Sequence, residues 1–146
     1  MEESLNLPQK LKQEFVCENK DVRTYSPLTL AFLGDGVFDL VIRTVIVERG
    51  NRSPQQLHKE KSRIVKAGTQ ALLGEAILDL LNETEQSVYR RGRNAKSGTS
   101  AKNASIVEYR KATALEALIG YWYLTGQEDR MIAMVKEGLN RLHIEL

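Results

Sequence analysis

From Leu28 to Val47 the chain reads LTLAFLGDGVFDLVIRTVIV, apolar on nearly every side of a helix and interrupted by only three charges, Asp35, Asp39 and Arg43. The run is about as long as a membrane span, but charges near its middle are too costly in hydrocarbon. It reads instead as a helix surrounded by other helices. With 146 residues, 42% hydrophobic and 27% charged, the chain suffices for one wrapped core and not two. The same balance excludes a disordered chain or a low-complexity scaffold. One cysteine, Cys17, rules out an internal disulfide and a cysteine-rich zinc site, and two histidines, His58 and His143, argue against a histidine-rich one. The opening MEESLNLPQKLKQEF has acidic residues where a signal peptide would be basic, so a cytoplasmic protein is expected.

Helix signals are plentiful and strand signals scarce, which predicts an all-α single domain, a helical bundle without internal repeats. Ser26-Pro27 places an N-cap and a first-turn proline before the apolar helix, which should end near Gly50. Ser53-Pro54 repeats the device, and Gln56 completes a capping box for a helix running toward the low eighties, bent near Gly68-Thr69. Asn82 and Glu85 open a short helix ending near Gly92; Ser105 and Glu108 open another, stopped by Gly126. A last helix fits Asp129 to Leu142. Residues 1–24 form a polar lead-in with one short helix around Leu11 to Val16, and residues 25–146 form the domain.

Two carboxylates stand out. Asp35 lies in the middle of the first apolar helix, and Glu116 is the only charge among the fourteen residues from Ala112 to Thr125. Burying an unpaired carboxylate costs several kcal/mol, so each needs a cation, hydrogen-bond donors or a metal. Gly34 and Gly36 bracket Asp35, and Gly120 sits one turn after Glu116. Mid-helix glycines cost roughly 1 kcal/mol each, which close helix-to-helix approach would offset. Such an approach would bring both carboxylates to one ion, and hard oxygen donors select Mg²⁺ or Mn²⁺ over zinc. An alternative is that Asp35 pairs with Arg43 or a distant lysine. Asp39, four residues before Arg43, reads as a helical ion-pair partner.

Charge is unevenly spread. The segment from Arg90 to Lys111 carries a local +6, against −4 for the rest of the chain. Its small residues and cations form a basic loop at about 90–104, in which Arg90, Arg91, Arg93, Lys96 and Lys102 are candidate phosphate contacts. The loop has no interleaved aromatics, so a duplex fits better than a stacked single strand.

At these residues the chain resembles a known family. LAFLGDGVFDL and TALEALIGYWYL resemble the two acidic motifs of the ribonuclease III catalytic domain. The order of YSPLTLAFLGDGVFDL, the QLHKE around His58 and RRGRNAKSGTSAKN followed by YRKATALEALIGYWYL resembles the Mini-III ribonucleases, which lack a double-stranded RNA-binding domain. The likeness covers roughly residues 22–143. It implies a ribonuclease III-type fold, a homodimer, and Mg²⁺-dependent endoribonuclease cleavage of double-stranded RNA leaving 5′-phosphate and 3′-hydroxyl ends. It further implies processing of the 23S ribosomal RNA precursor, with ribosomal protein L3 as a helper. Asp35 and Glu116 match catalytic metal ligands; Ala31 and Thr113 stand where the wider family has two further acids. Phe32 and the Tyr121-Trp122-Tyr123 cluster are candidates for the dimer seam, core packing being the alternative. Cys17 and His58 are read as incidental or structural. A catalytically silent double-stranded RNA-binding or ribosome-associated protein of the same fold, and a plain helical interaction module, remain as other readings.

Overall fold

The structure, a computed structural model, describes residues 5–96 and 105–146. Lys102 and most of the expected basic loop lie outside these residues. Among the described residues seven α-helices follow one another: α1 (Leu7–Phe15), α2 (Pro27–Arg49), α3 (Pro54–Val65), α4 (Ala67–Ala76), α5 (Glu83–Asn94), α6 (Ile106–Leu124) and α7 (Glu128–Arg141). Among the described residues there is no strand, and no helix is long and apolar enough to cross a membrane.

The helix starts are where the side-chain chemistry puts them. Ser26, Ser53, Asn82 and Ser105 each accept the backbone N–H three residues on, and Ser53/Gln56 and Asn82/Glu85 form reciprocal capping boxes. At the other end of α6, Gly126 takes φ +71, the left-handed conformation that favours glycine after a helix.

One expected element is divided. The helix predicted from Pro54 toward the low eighties is two helices with a break at Lys66, whose ψ of 154° is extended, followed by a 3₁₀ turn at Leu78–Leu80. The break frees carbonyls at the end of α3, and α4 caps them from its own first turn. Thr69 Oγ1 donates to the Arg63 carbonyl at 2.9 Å and Gln70 Nε2 to the Val65 carbonyl at 2.8 Å. Neither Gly68 nor a proline causes it. The lead-in holds α1 four residues earlier than expected, capped by Asn6 and Gln9.

α2 and α6 form the most extensive pairing, and their contact is backbone on backbone. A Cβ placed on Gly34 would lie 1.7 Å from the Glu116 carbonyl oxygen, and one on Gly120 would lie 2.1 Å from the Leu30 carbonyl oxygen. Around this crossing Phe38, Ile42, Leu115, Leu118, Ile119 and Trp122 are fully buried. Gly36, by contrast, has nothing within 4 Å of where a Cβ would stand, so the bracketing of Asp35 by two packing glycines holds for one of them only.

α2 is also not surrounded. Phe32 is 84% exposed, and Leu28, Leu40 and Val47 share that solvent-facing side, so the apolar run serves a core on one side and an open stripe on the other. Trp122 is core, as the packing alternative held, and of the candidate seam aromatics only Phe32 stands fully in solvent.

The fold has a second buried anchor that the sequence does not announce. Glu85 is 1% exposed and accepts from Trp122 Nε1 at 2.7 Å and from Arg130 at 2.8 and 3.0 Å. Burial pushes its carboxyl up, but the bonds from Arg130, the Asn82 backbone and Trp122, with the Arg130 charge, hold it below its ordinary value. The Asn82 cap thus ties α5 to α6 and α7.

The two glycines beside Asp35 should respond oppositely to alanine. Gly34→Ala forces α2 and α6 apart and is expected to destabilise by about 3 kcal/mol or more in urea unfolding. Gly36→Ala, in open space, is expected to stabilise by about 0.5–1 kcal/mol. Equal effects would contradict the crossing.

A candidate metal centre

Asp35 and Glu116 meet across the α2/α6 crossing. Gly34 lets α2 touch the backbone carbonyl of Glu116 itself, and Asp35 follows Gly34 directly, so the close approach that removes a side chain at 34 delivers the next one to Glu116. The two carboxyls are within hydrogen-bonding reach. Asp35 is exposed and Glu116 largely buried, so the pair opens to solvent on the α2 side; this corrects the expectation of a fully buried Asp35.

Burial pushes the Glu116 carboxyl up to about 8, and the hydrogen bond and negative charge of Asp35 push the same way. The Gln70 side chain, from the first turn of α4, works against them. Near neutral pH Glu116 therefore keeps its proton when no cation is present. Among the described residues no lysine or arginine forms an ion pair with either carboxyl. Asp39 is engaged instead with Arg43 four residues on, as its spacing predicted, and also with Lys61 of α3 at 3.4 Å.

Two carboxyls pressed together without a cation are suited to a hard divalent ion, which would displace the Glu116 proton. The donor set is sparse. Among the described residues no group of three His, Cys, Asp or Glu gathers anywhere. Ala31 is buried and carries no donor, and the Thr113 hydroxyl is spent on the Tyr109 carbonyl at 3.0 Å. Oxygen donors from two carboxylates fit an ion that retains most of its water, as Mg²⁺ does.

The cations stand differently from expectation. α5 continues to Asn94, so Arg90, Arg91 and Arg93 lie on a helix rather than in a loop, exposed, with Lys96 just beyond. Gly92 between them seats α5 on α6: its added Cβ would lie 2.9 Å from Ala114 Cα and 3.1 Å from Ala117 Cβ. The basic end of α5 is thus pinned to the turn of α6 that carries Glu116. His58 is exposed, with Nε2 3.4 Å from Ser62 Oγ, and Cys17 is exposed.

Residues 28–127 match the Ribonuclease III domain family. A Mini-ribonuclease 3 from Brevibacillus brevis is 48% identical over 118 residues, covering 81% of this chain and 88% of the relative. One from Clostridium tetani is 42% identical over 131 residues, covering 89% and 85%. A crystal structure of a Fusobacterium nucleatum protein superposes with a TM-score of 0.74 at 36% identity, covering 81% of this chain and 96% of that one.

The raised Glu116 carboxyl carries a sign. In the unfolded chain it ionises near 4.5 and in the ion-free fold near 8, so the folded state binds more protons between those values and stability falls as pH rises through them. Glu116→Gln should melt higher than the parent at pH 8 and above in EDTA, with the difference shrinking toward pH 4.5. A difference independent of pH would contradict the raised Glu116 carboxyl.

Proposed function

This chain belongs to the ribonuclease III family and, within it, to the Mini-ribonuclease 3 group, and from that premise we propose that it is an Mg²⁺-dependent endoribonuclease that cuts double-stranded RNA at the Asp35–Glu116 centre. The single observation carrying the assignment of the centre is that pair: two carboxyls held together by a backbone contact and left without a cation of their own. A divalent ion bound there supplies a Lewis acid for a phosphate oxygen and acidifies a water, with Mn²⁺ able to substitute. Asp35 and Glu116 orient it, one from each helix, and no side-chain nucleophile is needed.

Arg90, Arg91, Arg93 and Lys96 bind the duplex through phosphates, placed by Gly92 against the turn of α6 that holds Glu116. Lys102 belongs to the same set by sequence. Recognition through phosphates and 2′-hydroxyls of A-form RNA makes sequence preference modest. The products are 5′-phosphate and 3′-hydroxyl ends, and the substrate is the 23S ribosomal RNA precursor, with ribosomal protein L3 as a helper at that substrate.

The active form is a homodimer. Leu28, Phe32, Leu40 and Val47 make an apolar stripe along α2 that a single chain leaves in water, and Phe32 at 84% exposure is its most prominent member. A second copy across a two-fold axis would cover it and place one centre on each strand of the duplex.

Incubation of a long RNA duplex with the protein and Mg²⁺ should yield cuts bearing 5′-phosphates, and Asp35→Asn should abolish cutting while leaving duplex binding intact. An uncut duplex across several divalent ions and salt concentrations would overturn the reading in favour of a silent RNA-binding protein. Replacing Arg90, Arg91 and Arg93 by alanine should weaken binding and lower the slope of log affinity against log salt by about one for each phosphate no longer held. An unchanged slope would remove those residues from the interface.

A further inference from the structure

The described residues hold one buried side-chain polar atom without a partner: Gln70 Oε1. Gln70 is 3% exposed, and a buried acceptor left unpaired costs about 1–3 kcal/mol. Its amide cannot simply be turned over. Nε2 donates to the Val65 carbonyl at 2.8 Å, where the α3/α4 break has left a helix-end acceptor, and reversing the amide would set oxygen against oxygen. The same side chain donates its other N–H toward the Glu116 carboxyl, which is why it lowers that group's pKa. The two N–H groups of the amide are thus engaged, one at the helix break and one at Glu116, and Oε1, on the same amide, is the end left over next to the Asp35–Glu116 pair.

We propose that Gln70 is a positioning residue of the metal centre, its Oε1 accepting a hydrogen bond from a water in the hydration shell of the ion held by Asp35 and Glu116. The inference rests on the metal-centre reading above and adds a third oxygen to it from a different helix. Its chemistry matches what the site lacks: two carboxylates leave most of a divalent ion's shell as water, and each such water carries protons that need acceptors. It also accounts for α4 beginning where it does. The break at Lys66 starts α4 in a register that carries Gln70 to Glu116, while Thr69 and Gln70 together cap the α3 carbonyls that the break exposes.

Titrating the full-length protein with Mn²⁺ without RNA, and reading free Mn²⁺ by electron paramagnetic resonance, separates this from a purely structural role. Gln70→Met, which keeps length and removes both polar ends, should weaken Mn²⁺ binding about 10- to 100-fold. Gln70→Glu, which keeps an acceptor and adds charge, should bind Mn²⁺ more tightly than the parent and serves equally if the methionine variant fails to fold. Mn²⁺ affinities equal to the parent in a folded variant of either kind would overturn the proposal, leaving Gln70 as a cap for α3 seen only in the melting temperature. Asp35→Asn in the same titration distinguishes the two levels. If it binds Mn²⁺ like the parent, the metal centre itself is wrong; if it loses Mn²⁺ while Gln70→Met does not, only the role of Gln70 falls.

Discussion

The contact between Gly34 of α2 and the Glu116 carbonyl of α6, mirrored by Gly120 against the Leu30 carbonyl, is the constraint on which the molecule depends. Two mid-helix glycines each give up roughly 1 kcal/mol of helix stability. The compensation is that two long helices approach until backbone meets backbone, and the side chains flanking the crossing, Phe38, Ile42, Leu115, Leu118 and Ile119, are withdrawn from water. The same contact fixes the chemistry. Because the carbonyl accommodated by Gly34 belongs to Glu116, the residue after Gly34 is delivered to the Glu116 side chain, and packing and site are one feature.

The surroundings are arranged to leave that pair unsatisfied. The acid four residues after Asp35 is taken by Arg43 and Lys61, and the buried acid on α5 is taken by Arg130 and Trp122. Cations at the end of α5 are instead turned to solvent, on a helix that Gly92 seats against α6. A protein that used its basic residues to neutralise its acids locally would have a quieter interior and no place for a divalent ion or a phosphate. Here the structural carboxylates have protein cations as partners, while Asp35 and Glu116 have one another.

Much of this is legible in the chain, for identifiable reasons. Helix starts are written in local chemistry, a serine or asparagine followed three residues later by a backbone donor, and Ser26, Ser53, Asn82 and Ser105 all cap accordingly. Asp35 and Glu116 are legible because charge is rare in apolar helices. The break at Lys66 is not, because it is marked by neither glycine nor proline and is held by side chains of the following helix. The open stripe of α2 is hidden in the sequence because apolarity does not distinguish burial in a chain's own core from a surface awaiting another. Gly36 looks equivalent to Gly34 because only the crossing geometry separates them. Gln70 is the one amide in AGTQALLG, but it stands beside Thr69 and carries no charge, so it gives a fainter signal than the isolated charges that single out Asp35 and Glu116.

The most direct test of the central claim, that the glycine crossing builds a divalent-cation site from Asp35 and Glu116, is anomalous X-ray scattering from crystals of the protein soaked in Mn²⁺. An anomalous peak between the two carboxyl groups is expected. Manganese found elsewhere on the surface with none between them, or a lysine or arginine occupying that space, would contradict it.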